Sequence, residues 1–126
     1  MLALDYLGGV LLVSKAKAGL LQGTLDMLIL KTLTLEPLHG YAIGVRITQI
    51  SKGAFAVNAG SLFPAFRRLE REGLIKGEWR LTENNRRAKR YVLTARGRAH
   101  LKDDMRDWEA QVRAISLILK ARLADL

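Results

Sequence analysis

The hydrophobic positions of this chain change their period along its length, and the changes mark the elements. Over residues 22–35, Leu25, Leu28, Ile29, Thr32 and Leu33 recur at helical spacing and predict a first helix. Thr24 is placed to cap it, Asp26 to sit in its first turn near the positive end of the dipole, and Glu36-Pro37 to end it. Leu38-His39-Gly40 reads as a tight connection. Residues 41–51 predict a second helix, with Ile43, Ile47 and Ile50 on a stripe and Tyr41 and Val45 beside it; His39 reads as its cap or as a packed side chain. A loop follows over residues 53–60, in which Phe55-Ala56-Val57 could pair as a short strand. Residues 61–71 predict a third helix on Leu62, Phe66 and Leu69. Pro64 falls in its first turn, where a missing N–H costs little, and Gly73 closes it as a left-handed cap would.

The period then shortens to two. Residues 75–82 set Ile75, Gly77, Trp79 and Leu81 against Lys76, Glu78, Arg80 and Thr82, which predicts a strand. Glu83-Asn84-Asn85 makes a turn carrying Arg86 and Arg87, and a second strand follows over residues 89–93. After Thr94 the helical period returns. Leu101, Met105, Trp108, Val112, Ile115 and Leu119 form a heptad-like seam, with Lys102, Asp103, Asp104, Arg106, Asp107 and Arg113 on the other faces. One helix projecting from a small domain cannot bury such a seam alone; it pairs with a second copy or folds back on its own core. The resulting expectation is a mainly α (α+β) winged helix-turn-helix: a three-helix core, a two- to three-stranded wing and a long C-terminal dimerisation helix. The expected domains are an N-terminal extension over residues 1–20, peripheral or disordered, a winged-helix domain over 21–94 and the dimerisation helix over 95–126.

Charge sharpens this picture. Residues 67–98 hold eleven Lys or Arg and four Glu, net +7 of the chain's +9. A solvated face normally mixes signs, whereas the wing runs from Arg86 to Arg90 without an acid. Basicity concentrated on one helix and one hairpin points to a phosphate-contacting face, with double-stranded DNA as the partner. Ser61, Phe63, Arg67 and Arg68 are the candidates to reach a major groove, joined by Tyr41, Pro64 and Arg71. Asn85, Arg86, Arg87, Lys89 and Arg90 are the candidates from the wing.

Other classes lack their parts. The chain has 126 residues, no cysteine and two histidines, His39 and His100, far apart in sequence. That length suits one small domain. The residue set excludes disulfides, thiolate chemistry and a cysteine-zinc finger, and argues against a histidine metal site. There is no nucleophile elbow, no phosphate loop and no carboxylate pair set with a histidine, so neither an enzyme nor a cofactor is expected. The apolar run over residues 7–13 is too short to span a membrane and lacks the order of a signal peptide, so a cytoplasmic location is expected. A winged-helix module that binds protein or RNA is the alternative; the arginine-dense third helix and wing speak against it.

Four pieces of the chain, in order, resemble the PadR family of bacterial transcription regulators. They are Gln22-Gly23-Thr24-Leu25-Asp26; His39-Gly40-Tyr41; Gly60-Ser61-Leu62-Phe63-Pro64-Ala65 with Leu69-Glu70; and Asn84-Asn85-Arg86-Arg87-Ala88-Lys89 with Tyr91 and Leu93-Thr94. The resemblance implies a winged-helix repressor, a homodimer held by the C-terminal helix, and a grip on a palindromic operator that an effector relieves. The short C-terminal region resembles the compact subfamily. There, a tryptophan on the last helix can line a cavity at the dimer interface and stack flat drug-like molecules. Trp108 resembles that residue, and two roles stay open for it: stacking a small aromatic effector, or packing the seam with Leu101, Met105, Val112 and Ile115. Phe63 stands where the family commonly has Tyr, and Arg90 where an aromatic is frequent.

Overall fold

The computed structural model describes residues 18–126, with side chains from Gly23 onward. Most of the extension expected over residues 1–20 therefore lies outside the described residues. The chain runs α1 (Ala18–Leu35), β1 (Leu38–His39), α2 (Gly40–Ile50), α3 (Ala59–Arg71), β2 (Ile75–Leu81), β3 (Arg87–Leu93) and α4 (Ala95–Leu119), then a short 3-10 turn (Leu123–Asp125). The strands form one antiparallel sheet in the order β1-β3-β2.

Helix α1 starts before the expected position, so Thr24 lies in its interior and is not a cap, and Asp26 is outside the first turn. The helix is also buried over a wider arc than the expected stripe. Leu30 is as fully buried as Ile29, because α1 packs against α2 and α3 and also against β3 and α4. A helix enclosed in this way can be apolar nearly all round. Thr32 is buried with it and donates its hydroxyl to the Leu28 carbonyl (2.7 Å), which satisfies a group that would otherwise be costly there.

The third strand comes from an unexpected place. Leu38-His39 pairs with β3 opposite Tyr91 and Arg90, while Phe55-Ala56-Val57 forms no strand; Phe55 and Val57 instead pack against the core. Two residues are too few for an alternation to register in the sequence. Pairing with β3 is what holds them extended. His39 is the N-cap residue of α2 by position, yet its side chain makes no capping bond.

Helix α3 begins at Ala59, capped by Asn58, whose side-chain oxygen accepts from the Ser61 N–H (3.0 Å). Pro64 consequently falls in the second turn, not the first, and leaves one helical bond unmade. Gly73, at φ +77°, ends the helix as expected. Its N–H donates to the Glu70 carbonyl and that of Leu74 to the Leu69 carbonyl, a Schellman closure sealed by the buried Leu69 and Leu74 side chains.

Thr94 joins the end of the hairpin to α4. Its hydroxyl donates to the Gly73 carbonyl (2.7 Å) and accepts the Gly97 N–H at the start of α4 (2.9 Å). Gly97 is buried against the backbone of Leu74, and a Cβ there would overlap the Leu74 carbonyl oxygen. The main core comprises Ile29, Leu30, Leu33, Ile43, Ile47, Leu62, Ala65, Phe66, Leu69, Leu74, Ile75, Tyr91, Leu93 and Leu101. From Met105 onward every residue of α4 except Ser116 is exposed.

Gly97→Ala is therefore expected to destabilise the fold although alanine is the better helix former. Overpacking typically costs about 1–3 kcal/mol, and here the obstacle is backbone, which yields less than a side chain. A thermal melt of the variant that matches wild type would show that α4 can shift away from Leu74.

Candidate nucleic-acid interface

At about 100° per residue, the buried residues of α3, Leu62, Ala65, Phe66 and Leu69, cover one side of the helix. The opposite side is centred on Gly60, Pro64, Arg67 and Arg71, all exposed. Arg68 and Ser61 lie on one flank, Phe63 and Glu70 on the other. Each flank is tied down by a neighbouring element.

On the first flank, the Arg68 guanidinium makes a two-pronged contact with Asp26 of α1, at 2.6 Å from Nη2 and 3.3 Å from Nε. Burial pushes the Asp26 carboxyl up from its ordinary value, and Arg68 only partly offsets this. On the other flank, Glu70 accepts a hydrogen bond from Lys89 of β3 (2.9 Å), which pushes the lysine ammonium up. The Lys89 side chain reaches α3 across Gly77, where any Cβ would block it. Phe63 meets Phe66 edge-on at 5.3 Å, and Phe66 lies 4.7 Å from Tyr91, so an aromatic row runs from the surface into the hairpin base.

The hairpin register sorts its side chains. Ile75 opposes Leu93, Gly77 opposes Tyr91, Trp79 opposes Lys89 and Leu81 opposes Arg87, all on the face that packs against α3 at its base. The other face pairs Lys76 with Val92, Glu78 with Arg90 and Arg80 with Ala88. Arg90 donates to Glu78 (3.2 Å) and holds that carboxyl below the usual range, while the Arg90 Nε is buried without a partner. At the tip, Asn85 adopts φ +59°. The turn is closed by bonds from the Thr82 N–H to the Arg86 carbonyl and from the Asn85 N–H to the Thr82 carbonyl.

These contacts divide the candidate cations in two. Arg68, Lys89 and Arg90 are partly buried and engaged with carboxylates. Arg67, Arg71, Arg86 and Arg87 are exposed and have no carboxylate within ion-pair distance among the described residues. Tyr41 stands in the first turn of α2, 81% exposed. Ser61, Phe63, Pro64 and Asn85 are all at the surface. Sequence reasoning missed Trp79, which is 59% exposed with the Arg87 guanidinium 4.9 Å from its ring. The alternation placed Trp79 on a strand, but only the register shows which cations lie over it.

Along α4, Leu101 is buried in the core, whereas Met105, Trp108, Val112 and Ile115 continue its line uncovered.

Three packed helices carrying a hairpin whose tip and neighbouring helix present unpaired arginines define a winged-helix DNA-binding fold. Comparison with known proteins gives the family. Residues 29–103 match the pattern described as "Transcriptional regulator PadR-like family". The chain is 38% identical over 74 residues to Transcriptional regulator Rv3488 of Mycobacterium tuberculosis, covering 57% of this chain and 67% of that protein. Among solved structures it is similar to a transcriptional regulator from Clostridium thermocellum, with 27% identity, TM-score 0.75, and coverage of 81% of this chain and 99% of that one. It is also similar to a PadR family transcriptional regulator from Eggerthella lenta, with 30% identity, TM-score 0.72, and coverage of 88% and 95%. The chain belongs to the PadR-like family of transcriptional regulators: it is a DNA-binding regulator and not an enzyme. Among the described residues no helix is long and apolar enough to cross a membrane.

The Asp26 shift has a testable sign. A carboxyl raised above 3.8 in the fold binds its proton more tightly there than in the unfolded chain. Its contribution to stability is present below that pH and is lost as pH rises through the folded value. The stability of wild type relative to Asp26→Asn should therefore shrink between about pH 3 and about pH 7, read as the difference in urea midpoints. A gap that widens with pH would mean that the ion pair with Arg68 outweighs burial.

Proposed function

We propose that the protein is a cytoplasmic repressor that binds a palindromic operator as a homodimer. In this reading α3 enters the major groove of each half-site and the β2–β3 hairpin lies on the flanking backbone or minor groove. The observation that carries the reading is the division of the cations. Those set back on the flanks of α3 and on the hairpin are neutralised by Asp26, Glu70 and Glu78, and those facing outward, Arg67, Arg71, Arg86 and Arg87, have no carboxylate partner among the described residues. An unpaired arginine is available to a phosphate or a guanine edge without first breaking an ion pair. Tyr41, Ser61, Phe63, Pro64 and Asn85 line the same approach. Arg68, Lys89 and Arg90 act from behind, by holding α3 and the wing in register. The free arginines also weigh against the alternative of a protein- or RNA-binding module.

Homodimerisation is supported by the uncovered seam of α4, where Met105, Trp108, Val112 and Ile115 extend the line of the buried Leu101. Trp108 is 47% exposed. That suits either of two roles, packing the seam or lining an interface cavity for a small aromatic effector. An effector would release DNA by binding one tilt of α4 better than another, since the tilt sets the distance between the two α3 helices.

Fluorescence anisotropy with DNA from upstream of the protein's own gene tests the reading. Replacing Arg86 and Arg87 together with Ala should weaken binding to all sequences about equally. It should also flatten the log K versus log salt slope by about 0.9 for each phosphate no longer neutralised. Arg67→Ala should instead relax specificity at one position per half-site, by about 1–3 kcal/mol. Wild-type affinity and slope in the double variant would remove the wing from the interface. No binding to any duplex would favour the protein- or RNA-binding alternative.

Trp108→Ala separates the two roles of that residue. A packing tryptophan predicts a dimer that dissociates or melts lower, since emptying a buried site typically costs about 3–5 kcal/mol. A pocket tryptophan predicts an intact dimer that no longer responds to flat aromatic cations. Sedimentation together with dye titration of the Trp108 fluorescence reads both.

A further inference from the structure

We propose that Trp79 is a positioning residue for DNA binding: its indole face holds the Arg87 guanidinium at the wing tip in fixed relation to α3. Four side chains make the link. Arg87 lies over the Trp79 ring at 4.9 Å, and the Lys89 ammonium lies 5.8 Å from the ring centre. Lys89 in turn donates to Glu70 of α3 at 2.9 Å. The cross-strand register puts Trp79 directly opposite Lys89 and one step along the same face from the Leu81–Arg87 pair. The row Arg87–Trp79–Lys89–Glu70 therefore runs from the wing tip to the helix on a single face.

The position of Trp79 is otherwise hard to account for. More than half of its surface is open to solvent, so burial does little to explain an aromatic there. Two residues on, along the same face, Leu81 is more exposed still and offers no ring face for a cation. What the indole supplies is a flat, negatively polarised face on which a guanidinium stacks while its N–H edge stays free to donate. Arginine loses much rotamer freedom on contacting a phosphate. A platform that removes part of that freedom beforehand raises affinity without touching DNA, which is the effect of preorganisation.

The inference rests on the reading in which Arg87 contacts DNA, and a double-mutant cycle keeps the two distinguishable. Binding of the full chain to one duplex is measured across a salt series for wild type, Trp79→Leu, Arg87→Ala and the double variant, with Trp79→Phe as the conservative control. Leucine keeps an apolar strand residue and removes the ring face. Trp79→Leu is expected to weaken binding about two- to fivefold per wing and to lower the salt slope in the same direction as Arg87→Ala. Trp79→Phe should restore most of the loss. In the Arg87→Ala background, Trp79→Leu should have no further effect. A merely structural role would lower the melting temperature and leave the slope unchanged, which would overturn the proposal. Effects of Trp79→Leu and Arg87→Ala that multiply would also overturn it, since the indole would then contact DNA on its own account. If Arg87→Ala itself binds as wild type, the wing reading fails and the proposal fails with it.

Discussion

The burial of one face of α3 is the constraint on which the rest of the structure depends. Leu62, Phe66 and Leu69 are almost wholly removed from water, each contributing about 1.5–3 kcal/mol. The ion pairs on its flanks are weaker by comparison. Arg68–Asp26 is 24% and 21% exposed and Lys89–Glu70 30% on both sides, and pairs within reach of solvent are worth about 1 kcal/mol or less. The apolar face therefore decides that α3 lies on α1, α2 and the hairpin. The two ion pairs act on what burial leaves soft, the rotation of the helix about its axis and the lean of the wing toward it. Their anchors on α3, Arg68 and Glu70, are about half a turn apart and so on opposite flanks, which leaves neither direction of roll free.

That arrangement explains why the outward side can be so one-signed. Arg67 and Arg71 stand four residues apart on the same helix, a like-charge pair that costs a few tenths of a kcal/mol. Arg71 recovers part of this at the C-terminal end of α3, where the helix dipole favours a cation. The hairpin tip adds Arg86 and Arg87, which have no ion-pair partner among the described residues. A surface of this kind is mildly unfavourable by itself and becomes favourable against a polyanion, because each phosphate neutralised releases counterions. The one-signed surface thus originates in where the paired acids are: Asp26, Glu70 and Glu78 are set behind the arginines that face outward.

Helix α4 follows the opposite logic. Its first turns are locked to the core through Thr94, Gly97 and Leu101, with the Gly97 backbone against that of Leu74. Beyond Asp104 the helix extends from the domain with an apolar line in water. The contacts of its first turns seat its base against Leu74 and Gly73, beside the end of α3. Thr94 links the end of α3 to the long helix: its hydroxyl bonds the Gly73 carbonyl, just past α3, and the Gly97 N–H of α4.

Much of this was legible in the order of residues. The apolar stripe of α3, the left-handed cap at Gly73, the Asn-rich turn and the seam of α4 are all local patterns. Each is written in spacings of two, three, four or seven residues, and each element formed where its pattern lay. What the sequence could not determine was which of several equivalent residues has a distant partner. Arg67 and Arg68 both lie off the apolar stripe of α3; only the fold brings Asp26, 42 residues earlier, beneath the second of them and leaves the first free. Lys89 and Arg90 look like wing cations until the hairpin register sets them beside Glu70 and Glu78. Leu38-His39 becomes a strand only because β3 is there to pair with it. Periodicity reports the environment a residue needs along its own element. Charge pairing and edge pairing depend on elements that are remote in sequence, and so only the tertiary structure decided them.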